Sequence, residues 1–473
     1  MSLTRFALAG AALLTLSACA AGPDFHVKPL PAPEHLAEAT PSVATAQAPP
    51  DAWWRLYDDP NLDTLVTEAL AHNTDLRVAV ANLDRARGAV WEARSALLST
   101  THESAQSGVG RSATANYQAA LSGRDAKASH FVTTEADAAY EIDLFGRVRR
   151  AIQAVRADAA SVEAARDAVR VSVAGETARA YASACALGEQ TDVAQRSLKT
   201  AQETYEVTLK RAELGSASDL DLVRARAVAD SAAAAVPPLD AQRRASLYAL
   251  AVLTGRPPET DLGPVTSCRT PLTLRQPLPV GDGASLLRRR PDVRQAERAA
   301  AADTARIGVA IASFFPQVSL GGTITAGAGH TDNLFNHSSI SYAAGPLISW
   351  SFPNLIGQGA RVAEAKATAR ASLARFDGVV LTALKETEQA LALYAGELQR
   401  HDALAAARAD YARALDLAKT RYAQGSASFL DVLDAERSLI AADTDLASSD
   451  ARMSDDQVTL FKALGGGWRA QAD

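Results

Sequence analysis

Residues 215–226 read GSASDLDLVRAR and residues 425–436 read GSASFLDVLDAE, so the chain carries nearly the same stretch twice, 210 residues apart. Two further pairs keep the same order at nearly the same spacing: Asp75-Leu76-Arg77 with Asp292-Val293-Arg294, and Leu144-Phe145-Gly146 with Leu355-Ile356-Gly357. The spacing is far longer than that of solenoid repeats. The sequence therefore predicts a tandem duplication of a whole subdomain.

Each copy of this stretch follows a long run without proline. Residues 147–236 contain no proline, and none occurs after Pro353. The 68 residues from Arg147 to Leu214 would form a helix about 100 Å long. Gly215 and Gly425 stand where a C-cap glycine would end such a helix.

Two long helical hairpins are therefore predicted, over residues 147–254 and 358–464. Leu384, Leu391 and Leu398 recur every seven residues, the spacing of a coiled-coil seam. Pro237-Pro238 is expected to break the return helix of the first hairpin, because proline removes a helix hydrogen bond and clashes with the preceding turn.

Four segments alternate apolar and polar residues with period two, which predicts strands with one apolar face. They are about 104–121 and 130–144 in the first copy and about 317–328 and 339–352 in the second. Four strands cannot close a barrel, and open edges are not tolerated in lipid. Three chains would supply twelve strands; strand count also permits a dimer, and the edge of a soluble sandwich is the alternative.

The predicted fold class is mainly α with a membrane β-barrel. Long coiled-coil hairpins would form a periplasmic α-helical barrel in a trimer, and each chain would add four strands to a twelve-stranded outer-membrane barrel.

The N-terminus has the features of a secreted lipoprotein. Arg5 supplies the positive charge, a short apolar stretch follows, and Leu16-Ser17-Ala18-Cys19 matches the box in which Cys19 receives the lipid. Ala20, by resemblance to other lipoproteins, favours sorting to the outer membrane.

Cys185 and Cys268 remain in the mature chain, and we expect free thiols rather than a pair, since one lies in a helical run and the other in a linker. No Cys/His cluster has metal-ligand spacing, and no catalytic arrangement or cofactor motif stands out. His330 and His337 lack a third ligand. A net charge of −6 gives no sign of nucleic-acid binding.

Eight stretches in order resemble the TolC/OprM-like outer-membrane factors, specifically the NodT-type efflux lipoprotein branch. They are AGPDFHVKP (21–29), WWRLYDDPNLDTLVTEALAHNTDLRVA (53–79), EIDLFGR (141–147), LTGRPP (253–258), LLRRRPDVRQAER (286–298), ASFFPQVSL (312–320), RYAQGSASFLDVLDAERSL (421–439) and LFKALGGGW (460–468).

The resemblance implies a homotrimeric duct in the outer membrane, reaching into the periplasm. Its partners would be a periplasmic adaptor (membrane fusion) protein, an inner-membrane RND-type pump and outer-membrane lipid, and it would carry out no chemistry of its own. The expected organisation is a signal peptide (1–18), a lipidated N-terminal tether (19–52), a first repeat (53–260), a linker (261–283), a second repeat (284–464) and a C-terminal tail (465–473).

The same resemblance assigns the periplasmic aperture to Asp431 and Asp434, whose spacing places them on one helix face. Rings of carboxylates select for cations. Ser428, three residues before Asp431, also fits a capping box, so Asp431 could cap the return helix, line the aperture or do both. Capping leaves Asp434 unexplained.

Family members close the tip through a tyrosine, an aspartate and a basic residue. Tyr422 and Asp221 match the first two, but Ala427 occupies the basic position, so closure must rest on other contacts. Arg211 and Arg421 precede the turns at equivalent places; adaptor binding is possible for them, but their interaction with the helix dipole is the favoured reading.

Two other functions stay open at this point. The outer-membrane component of a type I protein-secretion system shares the architecture, and a non-transporting coiled-coil envelope lipoprotein would explain the helices and anchor but not the strands. The cargo is left open by the sequence.

Overall fold

The computed structural model of the chain describes residues 20–27, 33, 35–274, 276–352 and 355–466. The predicted signal peptide and Cys19 lie outside the described residues. Two compact units are present. The first contains the described parts of residues 1–27, 84–162 and 296–376, and the second contains those of residues 28–83, 163–295 and 377–473.

Helices account for most of the described chain. They are α1 (Pro60–His72), α2 (Thr74–Ser95), α3 (Ala113–Leu121), α4 (Arg147–Glu213), α5 (Asp219–Leu253), α6 (Gly283–Arg289), α7 (Pro291–Ala312), α8 (Leu355–Ala423) and α9 (Phe429–Ala463). The strands are β1 (Ala44–Thr45), β2 (Thr100–Gly110), β3 (Ser129–Ile142), β4 (Leu278–Pro279), β5 (Gln317–Ala328) and β6 (Ile340–Ser349). None of the helices in the described ranges is long and apolar enough to cross a membrane.

In the first unit, the strands form one antiparallel sheet in the order β2-β3-β5-β6. Directly opposed residues share a face. The exposed apolar side chains of one face include Tyr140, Leu320, Ile324, Tyr342 and Ile348. The other face carries Glu135, Asp137, Thr323 and Thr325. The sheet is therefore amphipathic, with an exposed apolar face and a polar face.

The strand predicted over residues 104–121 is wrong in its second half. Strand β2 ends at Gly110, and residues 113–121 form helix α3. The Ser112 hydroxyl caps this helix by accepting a hydrogen bond from the Ala115 N–H at 3.1 Å. Alanine favours helix, and the alternation is weakest in this alanine-rich segment.

The predicted break at Pro237-Pro238 is also wrong, because α5 runs through both prolines. Their missing N–H groups leave the carbonyls of Ala233 and Ala234 without helical donors. All four residues are exposed, so water can replace the lost bonds. The parts of α5 before and after the two prolines are packed, including the buried Ala232, and this packing holds the helix in place.

In the second unit, the segment predicted to be a tether is packed over much of its length. Leu36 and Val43 are buried, and β1 pairs in parallel with β4. Trp53 stacks on Phe461 at a centroid distance of 4.8 Å. The tether prediction failed here because a Pro/Ala-rich composition shows no periodicity even where the chain contributes to a core.

Cys185 and Cys268 form a disulfide, which corrects the expectation of free thiols. Their Cα atoms lie 4.8 Å apart. Arg243 donates to the carbonyls of Thr266 and Cys268, and Gly188 leaves room for the Cys268 carbonyl, which a Cβ would approach to 2.4 Å. The linker is thus packed against α4, a contact that residue spacing does not reveal.

Candidate aperture at the helix-hairpin tips

Both hairpins turn through the same backbone arrangement. Helix α4 ends before Gly215 and α8 ends before Gly425, with φ of +72° and +75°. Ser216 N–H donates to the Arg211 carbonyl at 2.8 Å, and the equivalent bond from Ser426 to Arg421 is 2.9 Å long. These are Schellman caps. Nothing lies within 4 Å of a Cβ added at either glycine, so the positive φ is what requires glycine.

Both return helices begin with a capping box. Ser218 Oγ accepts from the Asp221 N–H at 3.2 Å, and Ser428 Oγ accepts from the Asp431 N–H at the same distance. Each aspartate reaches back to the serine N–H, at 3.3 Å and 2.7 Å respectively. The bond from the Ser428 N–H lowers the pKa of Asp431, with smaller contributions from the Ser428 hydroxyl and Arg421. Asp431 therefore acts as a charged cap.

Asp434 has a different environment. It is exposed on the same side of α9 as Asp431, while the intervening Val432 and Leu433 are buried. Within the described ranges its carboxylate has no hydrogen-bond or ion-pair partner; only its backbone carbonyl accepts, from the Ser438 hydroxyl at 2.9 Å. Asp431 thus makes capping bonds that the Asp434 carboxylate lacks.

The end of α4 meets the end of α8 through Arg211 and Tyr422. An Arg211 guanidinium N–H donates to the Tyr422 hydroxyl, and the guanidinium carbon lies 4.8 Å from the centre of the tyrosine ring. Phe429 packs against the same ring at 5.6 Å. Asp221 bonds to Ser218 in the described chain rather than to Tyr422. Sequence reasoning singled out Arg211 but did not pair it with Tyr422.

Glu436 is a feature that sequence reasoning missed. Its side chain is 1% exposed, and Oε2 accepts from the Thr204 hydroxyl at 3.0 Å. Burial raises the pKa of this carboxyl, opposed by the Thr204 bond and Lys419. The equivalent residue of the first copy is the exposed Arg226. The periodicity of α9 could have placed residue 436 inside, because it follows Val432 by one helical turn.

In the part of the chain that the structure describes, no group of three or more His, Cys, Asp and Glu side chains could hold a metal ion. The tips combine two turns of the same backbone geometry with exposed carboxylates.

Very long helices and an amphipathic sheet with unpaired edges are features expected of a channel subunit of an outer membrane. The chain belongs to the outer membrane efflux protein family, whose model matches residues 65–256 and 284–466. The resemblance inferred from the sequence motifs is confirmed. Channels of this family work with a periplasmic adaptor and an inner-membrane pump, and the family is not one of enzymes.

Individual relatives agree over nearly the full chain. Nodulation protein T of Rhizobium leguminosarum bv. viciae is 30% identical over 474 residues, covering 98% of this chain and 94% of that protein. The toluene efflux pump outer membrane protein TtgC of Pseudomonas putida is 30% identical, covering 100% of this chain and 96% of its own length.

Solved structures show the same similarity. The outer-membrane channel OprN has 32% identity and a TM-score of 0.87, over 95% of this chain and 100% of that one. The open-state Neisseria gonorrhoeae MtrE channel has 30% identity and a TM-score of 0.83, over 95% and 98%. The chain is thus an outer-membrane efflux channel that extends into the periplasm.

Proposed function

We propose that three copies of this chain form the exit duct of a tripartite pump, through which small molecules pass passively. The observation that carries the trimer is the sheet: in the described chain, β2 and β6 each have a neighbour on one side only. Unpaired strand edges are not tolerated in lipid, so further copies must pair with them. Three copies would give about twelve strands, within the known range of such barrels.

The gate is proposed at the hairpin tips. Threefold symmetry would turn the exposed Asp431 and Asp434 into two rings of three carboxylates, and such rings attract cations while repelling one another. The contact between Arg211 and Tyr422 would oppose that repulsion and supply the closure for which Ala427 lacks a charge. Opening would then separate the helix ends like an iris.

An RND-type pump and its adaptor are the proposed partners, with lipid attached at Cys19 as an additional membrane contact. The relatives' names include toluene, antibiotic and cation efflux. This range supports the export of small molecules and leaves the particular cargo to the pump.

Conductance of the purified channel in planar bilayers tests the proposal. Asp431→Ala combined with Asp434→Ala is expected to raise conductance and to weaken cation preference. Ser428→Ala is the matched control, because it removes the cap bond to Asp431 and leaves both charges in place. No pore at all in the unmodified protein would overturn the duct, whereas a double variant that behaves like Ser428→Ala would reduce the acids to capping.

A further inference from the structure

The first residues after Cys19 are held against the first unit by a buried arginine. Arg150, near the start of α4, is 5% exposed. Its guanidinium donates to the carbonyls of Ala21 and Gly22, both at 3.1 Å, and to the Asp24 carboxylate at 2.6 Å. The bond to Arg150 also lowers the pKa of Asp24. The Arg150 side chain thus binds two backbone carbonyls and one carboxylate of the N-terminal segment.

Three glycines allow the segment to lie this close. A Cβ on Gly146 would lie 2.8 Å from Ala20 Cα, and one on Gly308 would lie 2.6 Å from the Ala21 carbonyl oxygen. A Cβ on Gly22 would lie 2.5 Å from Gly308 Cα. Contacts this short with backbone atoms exclude a larger residue without displacement of the chain. Gly308 lies inside α7, where alanine would otherwise be the better helix former.

The segment lies beside a cluster of aromatic residues at one end of the sheet. Ala21 N–H donates to the Phe145 carbonyl at 3.0 Å, just past the end of β3, and Phe145 stacks on Phe315 at 4.3 Å. Trp350 and Phe352, just past the end of β6, are both exposed. Exposed aromatic residues at the ends of membrane strands mark the level of the lipid headgroups.

We propose that Gly146, Arg150 and Gly308 form an N-terminal seat that fixes the lipid carried by Cys19 at the level of the headgroups. This inference rests on the proposed lipidation of Cys19. Consecutive Cα atoms are about 3.8 Å apart, so seating Ala20 limits how far the lipid can lie from the aromatic border. The ligand class is a pair of acyl chains on a glyceryl group, which extend from there along the apolar face of the sheet.

The physical advantage of the seat is positional. A lipid on a free tether would sample many places on the bilayer, and ordering it would cost chain entropy. Because the fold holds residues 20–24 in place, this conformational entropy is already lost when the protein folds. The acyl chains then enter the bilayer at one place beside the strands.

The test places a nitroxide on the introduced cysteine of His26→Cys in the full-length channel. Cys185 and Cys268 are joined as a disulfide, and the thiol of Cys19 carries the lipid in the proposed lipoprotein, so the introduced thiol is the one left to react. In the otherwise unmodified channel, the label is expected to show an immobilised component by electron paramagnetic resonance. Gly308→Ala is expected to abolish that component, and Gly88→Ala is the control, since it is also helical but has nothing within 4 Å of its added Cβ.

A second variant changes the segment instead of its seat. Gly22→Ala is expected to cause the same loss, and it leaves the groove itself unaltered if Gly308→Ala misfolds. An immobilised label in both Gly22→Ala and Gly308→Ala would overturn the seat, as would equal mobility in Gly308→Ala and Gly88→Ala.

The role of the lipid is tested separately. Mass spectrometry of the N-terminal peptide reports whether Cys19 is acylated, independently of the nitroxide. In Cys19→Ser the label is expected to stay immobilised, because the contacts of the seat begin at Ala20. A Cys19 that mass spectrometry finds without acyl chains in the unsubstituted protein would refute the lipid-positioning role while leaving the channel function untouched.

Discussion

Tyr422→Phe is expected to loosen the proposed closed aperture while preserving both turns. The substitution removes the hydroxyl that accepts from Arg211 and keeps the ring beneath the guanidinium and against Phe429. The cap at Gly425 uses only backbone atoms of residue 422, so the turn itself is unaffected.

The expected size follows from the contact. A hydrogen bond to a charged group contributes about 1.5–3 kcal/mol, and about 1 kcal/mol is reasonable here because both side chains are partly exposed. Three such contacts opening together would shift the equilibrium by about 3 kcal/mol, or roughly a hundredfold towards the open state. Arg211→Ala also removes the cation–π contact, about 0.5–1 kcal/mol more per copy, and should open the channel further.

Single-channel recording in planar bilayers measures this ratio directly. Arg421→Ala is the matched control: Arg421 occupies the equivalent place in the last turn of α8, so both variants lose the same favourable charge at a helix C-terminus. Equal open probabilities for Tyr422→Phe and the wild type would refute the reasoning. So would an Arg421→Ala channel as open as Arg211→Ala.

Three further predictions concern stability. Replacing both Cys185 and Cys268 by serine opens a loop with a sequence separation of 83, which should cost about 4–5 kcal/mol in guanidinium unfolding; unchanged midpoints would contradict the bond. Burial, reinforced by Asp450, raises the pKa of Glu189 from 4.5 to about 7. The folded state therefore loses stability as the pH rises through that range and the carboxyl ionises. Glu189→Gln should stabilise the channel by about 1–2 kcal/mol at pH 8 and by nothing at pH 4. Unfolding at the two pH values measures this difference. Gly425→Ala should lower the free energy of unfolding by about 1–2 kcal/mol, measured by thermal unfolding, because the φ of residue 425 is positive. Gly359→Ala is the control: it lies in a helix with nothing near its added Cβ, so the change should be neutral or slightly stabilising. Equal losses in the two variants would point away from φ strain.

Local chemistry made parts of the fold readable from the sequence. A glycine followed by Ser-Ala-Ser specifies a Schellman cap and then a capping box, because both motifs use only neighbouring residues. The alternation at Gln317–Ala328 is equally local, since each residue's face follows from its position in the strand.

The remainder depended on distant partners. Nothing near Cys268 in sequence indicates that it lies against Cys185, and nothing near Ala21 indicates the Arg150 guanidinium. Pro237 lies in a helix because packing on either side outweighs its local preference. For the tip, the family resemblance singled out Tyr422, but its partner Arg211 belongs to the other hairpin and is 211 residues away.

The two tips share one turn but have diverged in the side chains around it. Arg211 contacts Tyr422, whereas the residues at the corresponding places are Ala212 and Arg421. If a single hairpin were repeated six times, every substitution would appear in all six positions. Because both copies lie in one polypeptide, two different hairpin tips would alternate around the proposed aperture. One tip can then supply the contact that holds the aperture closed, and the other can supply the carboxylates. Selection could then adjust how firmly the pore shuts separately from which ions it admits.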